Sequence, residues 1–177
     1  MICGNGGSAS DSDHIVGELM KSFQIKRDLP QKESLKFKDI NDGEVIASKL
    51  QKAIPAISLS SQTALFTAIG NDSSYDMIYA QQVYGYGKVD DCLIALSTSG
   101  NSTNIITAVK TAKALKMKTV GITGQQTCQL QELCDICIQV PSETTSSVQE
   151  YTLPIYHTLC AMLEAEAFGN KNIRKEE

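Results

Sequence analysis

Four hydroxyl side chains fall within six residues at Ser97-Thr98-Ser99-Gly100-Asn101-Ser102. Before them, Asp91-Cys92-Leu93-Ile94-Ala95-Leu96 reads as a buried strand. After them, Ile105, Ile106, Val109, Ala112 and Leu115 recur at helical spacing. Free backbone N–H groups and the positive end of a helix dipole point into a strand-to-helix turn, which suits an anion and above all a phosphate. The Ser97, Thr98, Ser99 and Ser102 hydroxyls add neutral donors, which suit a site that must release its phosphorylated product. Ser and Thr also precede helices as ordinary caps. Four of them beside a Gly that admits a ligand favour the phosphate reading.

Three further groups carry chemistry. Gly4-Asn5-Gly6-Gly7-Ser8 is a glycine-rich turn that does not spell GxGxxG. His14 and Glu18 are four apart on a predicted helix, so they stack on one face. Such a pair serves as acid and base, as two metal ligands, or as a surface pair. His157 lies in an apolar stretch, where a lone His is commonly a satisfied core residue. Cys134 and Cys137 have CxxC spacing across a predicted strand, with no second pair to complete a zinc site, so they read as structural.

The elements that must position these residues follow in order. Residues 1–3 read as the end of a strand whose beginning is missing, and 8–23 as a helix with Ile15, Val16, Leu19, Met20 and Phe23 on its stripe. Residues 24–53 form a polar excursion that ends in a helix from Glu44. Residues 55–59 read as a second buried strand, 62–69 and 74–86 as helices, and Asn71-Asp72 as the turn between them. After the central strand, turn and helix come a strand at 118–123, a short helix at 129–133, a strand at 135–140 and a long helix at 148–168. Alternating strands and helices predict an α/β fold, a doubly wound parallel sheet flanked by helices. Ligands in such sheets lie at the carboxyl ends of strands, where both turns fall. One domain over 1–169 and a loose charged tail over 170–177 are expected.

The totals agree. The chain has 177 residues, 42% of them hydrophobic and 20% charged, with net charge −4. That is a globular composition with no dense Lys/Arg run, which argues against nucleic acid as the main ligand. No apolar run approaches the ~20 residues that cross a bilayer, so no membrane partner and a cytoplasmic location are expected. Cys92, Cys134, Cys137 and Cys160 lie in apolar runs and read as buried free thiols.

Cys3-Gly4-Asn5-Gly6-Gly7-Ser8, His14-Ile15-Val16-Gly17-Glu18, Thr67-Ala68-Ile69-Gly70-Asn71-Asp72, the 97–102 turn and Gln149-Glu150 with His157 come in one order. Together they resemble the sugar isomerase (SIS) domain of phosphoheptose isomerases, a flavodoxin-like three-layer sandwich. The resemblance covers almost the whole chain. It implies interconversion of sedoheptulose 7-phosphate and D-glycero-D-manno-heptose 7-phosphate, toward heptose for lipopolysaccharide and other surface glycans. By the same resemblance, Ser97, Thr98, Ser99 and Ser102 bind phosphate. Asn5, Gly6, Gly7, Ser8, Asn71, Asp72 and Gln149 bind the sugar. Glu18 is the catalytic base and His157 its acid/base partner. His14, Glu18, Gln149 and His157 match positions that hold one zinc per subunit in members where zinc is seen. A homotetramer is implied, built by a helical part before the Cys-Gly-Asn turn that the sequence is read as lacking. Ser147 stands where many members carry Arg, and Thr152 where a non-catalytic His is common.

The residue types agree with that chemistry. Moving a carbonyl between C1 and C2 needs a base for the carbon-bound proton, which a carboxylate supplies, and a proton carrier between the oxygens, which an imidazole supplies. The alternative is a non-catalytic SIS protein that binds sugar phosphates or the bacterial replication initiator. That sister group lacks the carboxylate and imidazole that Glu18 and His157 provide here.

Overall fold

The computed structural model describes residues 1–169. In chain order its elements are β1 (Ile2–Gly4), α1 (Gly7–Met20), α2 (Gln31–Ser34), a 3-10 turn (Leu35–Phe37), α3 (Gly43–Lys49) and α4 (Thr63–Asp72). A second 3-10 turn (Tyr75–Met77) leads into α5 (Ile78–Tyr86), β2 (Cys92–Leu96), α6 (Thr103–Ala114) and β3 (Lys118–Thr123). The chain closes with α7 (Gln129–Leu133), β4 (Ile136–Gln139) and α8 (Thr145–Phe168). The expected tail at 170–177 lies outside the described residues. The chain groups into two compact units, one of residues 1–16 and 56–156, the other of 17–55 and 157 onward.

The first unit holds a four-stranded parallel sheet in the order β1-β2-β3-β4, flanked by helices. On the outer side of β1, Ile2 forms a parallel bridge with Ser58. Its N–H donates to Ile57 O and its C=O accepts from Leu59 N, both at 2.9 Å. The segment expected as a full strand over 55–59 is therefore a single bridge. The reason is local: the Gly4 carbonyl that would extend the ladder accepts from the Tyr79 and Ser60 hydroxyls instead. The bridge still places this segment and β2 on opposite sides of β1, so chain order reverses there. That reversal is where open α/β sheets bind ligands.

Leu93, Ala95, Ile105, Val109, Ile78 and Val83 are wholly enclosed and form the core against the sheet. The apolar run of β2 follows from burial on both faces. Cys92, expected buried, is exposed because it opens β2, where the Met1 ammonium donates to its carbonyl at 2.8 Å. All six cysteines are free thiols. Cys134 and Cys137 close over Gly121, where a Cβ would stand 3.2 and 3.3 Å from their sulfurs. Burial pushes the Cys134 thiol up to about 12.

In the second unit, α1 stops at Met20 rather than continuing through Phe23. The N–H groups of Phe23, Gln24 and Ile25 donate to the Glu164 carboxylate at 2.7–3.0 Å and leave the helical path. Arg27 donates to Glu164 at 2.7 Å, and both side chains are wholly enclosed. The same guanidinium donates to the carbonyls of Leu19 (2.7 Å) and Glu18 (3.2 Å). It thereby satisfies carbonyls at the end of α1 and complements the negative end of the helix dipole. α8 continues past the interior Pro154 and leaves Leu153, Met162 and Leu163 exposed.

Candidate active site

The site in the first unit begins where β1 and β2 end. Asn5 follows β1, and its side chain exchanges two hydrogen bonds with Asn104, each 2.9 Å. Asn104 is buried in the first turn of α6. Tyr79 donates to the Gly4 carbonyl and lies 3.3 Å from Asn5 Oδ1. The glycine-rich turn is thus pinned from two sides by residues that sequence reasoning did not single out. Burial pushes the Tyr79 hydroxyl up to about 12, so it stays a donor.

The second turn follows β2. Ser97 N donates to Ile122 O at 3.1 Å and Gly100 N to Ser97 O at 3.0 Å. Gly100 has φ +65°, in the left-handed region, and Thr123 and Cys128 crowd the place of a Cβ. Ser102 occupies the N-cap position of α6, yet its hydroxyl makes no capping bond. It lies 3.2 Å from Ser97 Oγ instead. Of the two readings of these hydroxyls, capping is therefore not what Ser102 does.

The two turns frame a cavity of about 250 Å³. Asn5, Gly6, Gly7 and Ser8 line it from the first turn, Leu96, Ser97, Thr98 and Ser102 from the second, and Thr145 and Gln149 from α8. Gly7 opens α1, Ser102 precedes α6 and Thr145 opens α8, so three helix N-termini meet there. Each carries a partial positive charge of roughly half a unit, while every lining side chain is uncharged. Three converging dipoles and neutral donors suit an anion without a fixed cation. Gln149 rests on Gly7, where a Cβ would stand 2.5 Å from its amide nitrogen.

Other expected site residues lie elsewhere. Ser99 Oγ accepts from Asn101 N at 3.2 Å, and Ser99 does not line the cavity. Asn71 and Asp72 are exposed at the end of α4, where the Asn71 amide donates to the Asp72 carboxylate at 2.8 Å. His14 stands on α1 with Nδ1 2.9 Å from the Tyr156 hydroxyl. That hydroxyl is 3.5 Å from Asp11 Oδ1. Burial pushes the Asp11 carboxyl up, opposed by the Tyr156 hydrogen bond and by His14.

Glu18 and His157 belong to the second unit. Lys21 Nζ lies 2.8 Å from Glu18 Oε2, and the Glu18 side chain is only 13% exposed. His157 is half-buried, its ring 5.7 Å from that of Phe23. Sequence reasoning missed Arg27 and Glu164, which hold the end of the helix that carries Glu18.

Comparison with known proteins decides the family. The SIS domain family model matches residues 43–124. A phosphoheptose isomerase of Clostridium acetobutylicum is 40% identical over 97% of this chain and 75% of its own length. One from Akkermansia muciniphila is 34% identical over 96% of this chain and 77% of its own. The chain belongs to the phosphoheptose isomerase family. The fold agrees. The phosphoheptose isomerase structure from Neisseria gonorrhoeae superposes with a TM-score of 0.73 at 29% identity, covering 93% of this chain and 74% of that one. The structure from Francisella tularensis gives 0.71 at 31% identity, over 92% and 73%. The chemistry of this family member is therefore an isomerase's.

Zinc is the cofactor that the family resemblance implies. Two imidazoles, a carboxylate and an amide oxygen, from His14, His157, Glu18 and Gln149, are a donor set that zinc accepts. A ligating His commonly has a partner at its other ring nitrogen, and His14 Nδ1 lies 2.9 Å from the Tyr156 hydroxyl, so the residue types fit. Among the described residues, no three His, Cys, Asp or Glu side chains stand grouped for a metal. No helix among them is long and apolar enough to cross a membrane.

Proposed function

We propose that this chain interconverts sedoheptulose 7-phosphate and D-glycero-D-manno-heptose 7-phosphate. The observation that carries the reading is the uncharged cavity at the ends of β1 and β2, on which three helix N-termini open. It suits the phosphate of a sugar phosphate, and relatives named phosphoheptose isomerase supply the reaction class.

In this reading Ser97, Thr98 and Ser102 donate to the phosphate oxygens, with Ser99 shaping the turn. Asn5, Gly6, Gly7, Ser8 and Gln149 bind the sugar, and Asn71 and Asp72 add further sugar contacts. The Glu18 carboxylate takes a proton from C1 of the ketose, and the electron pair moves through a C1–C2 double bond onto O2. The resulting enediolate receives the carbon-bound proton back at C2. His157 moves the hydroxyl proton from O1 to O2, so the aldehyde forms at C1 with no net gain or loss of atoms. His14, Glu18, Gln149 and His157 would hold one zinc per subunit. When bound, zinc would polarise the carbonyl oxygen.

The same reading makes residues 1–169 one SIS domain and the protein a homotetramer of the heptose and lipopolysaccharide pathway. Exposed Leu153, Met162 and Leu163 on α8 support an oligomer. A cytoplasmic location fits a charged substrate that does not cross a bilayer unaided.

The test is aldose 7-phosphate formation from sedoheptulose 7-phosphate, beside five- and six-carbon ketose phosphates, with Glu18→Gln as control. Turnover of the heptulose that vanishes in the control is expected. A clear preference for a hexose phosphate would overturn the substrate assignment, and full activity of Glu18→Gln would overturn the mechanism.

A further inference from the structure

A second cavity, of about 180 Å³, adjoins the anion cavity. Asn5 and Gly6 line both. The second is completed by Ala9 of α1, Ser60, the α4 residues Thr63 and Phe66, and Tyr75 and Tyr79. All of these belong to the first unit. Ala9 is two residues past Gly7, and at about 100° per residue it faces away from the contact of Gly7 with Gln149. The two cavities therefore lie on either side of the first turn of α1 and meet at the glycine-rich turn before it. The junction is open: Gly6 has φ +57°, and a Cβ there would meet nothing within 4 Å.

The linings differ in chemistry. Phe66 stands nearly perpendicular to both tyrosines, with its ring centroid 6.0 Å from that of Tyr75 at 82° and 5.8 Å from that of Tyr79 at 70°. Edge-to-face contacts of this kind are favourable and set the rings' orientations. The donors beside them are already engaged. Tyr79 and Ser60 donate their hydroxyls to the Gly4 carbonyl, and the Asn5 amide is exchanged with Asn104. A polyol buried against these rings would leave hydroxyls without partners, which is costly. A flat aromatic ring carries no such cost and gains by stacking.

We propose that the two cavities together take a nucleoside 5′-monophosphate, its phosphate at the 97–102 turn and its base against Phe66 and Tyr75. The phosphate half rests on the anion reading of the first cavity. The base half rests on the aromatic lining of the second. A nucleotide has its ribose C1 locked in a glycosidic bond and offers no carbonyl to isomerise. Seated here, it fills the place of a sugar phosphate's phosphate and acts as a competitive inhibitor.

The experiment is calorimetric titration of the full chain with inorganic phosphate, ribose 5-phosphate and the common nucleoside 5′-monophosphates. Base–aromatic stacking predicts that at least one nucleotide binds roughly ten- to a hundredfold tighter than ribose 5-phosphate. Inorganic phosphate should displace it. Tyr75 is 57% exposed, so Tyr75→Ala removes the ring with little effect on the fold. That variant should lose most of the nucleotide's advantage and leave ribose 5-phosphate unchanged, whereas Tyr75→Phe should keep the advantage. A nucleotide no tighter than ribose 5-phosphate, or one that phosphate does not displace, overturns the proposal. So does a Tyr75→Ala protein that weakens both ligands alike, the mark of a structural role. Ribose 5-phosphate binding without a nucleotide advantage sinks the proposal alone, while failure of every phosphate to bind sinks the anion reading with it.

Discussion

Asn5 and Asn104 exchange their amides across the head of the cavity, each donating to the other at 2.9 Å. The pair ties the turn after β1 to the first turn of α6. The two walls of the anion site are therefore one hydrogen-bonded piece. Each amide has its orientation fixed by the other, and Asn104 Oδ1 also accepts from Ile105 N at 3.0 Å.

Asn104→Ala breaks that piece. The cut leaves Asn5 without its partner and costs about 1–3 kcal/mol by the usual penalty for an unsatisfied polar group. Urea denaturation should show a lower midpoint with an unchanged slope. KM for the sugar phosphate should rise, because the two turns are no longer held in register. Natural stability and KM in the variant would mean that the amide exchange does not set the cavity's shape.

Ser102→Ala separates capping from ligand binding. Losing an N-cap costs typically ~1 kcal/mol, but this hydroxyl makes no capping bond. The melting temperature should stay near that of the natural chain. A hydrogen bond to a charged phosphate is worth about 1.5–3 kcal/mol, so inorganic phosphate should compete roughly ten- to a hundredfold less well. A lower melting temperature with unchanged phosphate competition would return Ser102 to the role of a cap.

Gly7→Ala tests the placement of Gln149. A new Cβ would stand 2.5 Å from the Gln149 amide nitrogen. That nitrogen is the far end of a flexible side chain, so the side chain moves and the fold does not. Ala also suits the start of α1 better than Gly by up to ~1 kcal/mol. Thermal stability should hold or rise while turnover falls on the order of a hundredfold, the scale of a 1 Å misplacement. Unchanged turnover would take Gln149 out of the site.

The centre of the cavity was legible because strand, turn and helix are contiguous from Asp91 to Leu115, and local patterns report local structure. The partners that brace it were not. Asn5 finds Asn104, and Gly4 finds Tyr79, at sequence separations of 99 and 75. No periodicity marks a long-range amide or hydroxyl partner. The run at 55–59 has a strand's composition, but a side-chain hydroxyl took the carbonyl that would have extended its pairing. Ser99 was grouped with its neighbours by spacing, whereas its hydroxyl serves the turn itself. Glu164 reads in sequence as one more charge on a long helix. Only the fold shows it enclosed.

Glu164 gives the strongest stability prediction. Its carboxylate accepts from the N–H groups of Phe23, Gln24 and Ile25 and from Arg27 Nε. Burial pushes its carboxyl up, but these donors together hold it below the ordinary carboxylate value. A carboxyl lowered in the folded state contributes stability that is present above its unfolded value near 4.3 and is lost as pH falls through the folded value. Glu164→Gln keeps the shape, removes the charge and leaves Arg27 buried without its counter-charge. Breaking a buried pair in this way costs about 3–5 kcal/mol. Urea midpoints should differ widely between the natural chain and the variant at pH 7, and the gap should narrow as pH falls through the folded value of the natural carboxyl. Because Arg27 also holds the Glu18 and Leu19 carbonyls, turnover at pH 7 should fall with stability. A gap that stays the same size however far the pH is lowered within the folded range would show that shape rather than charge holds this end of α1.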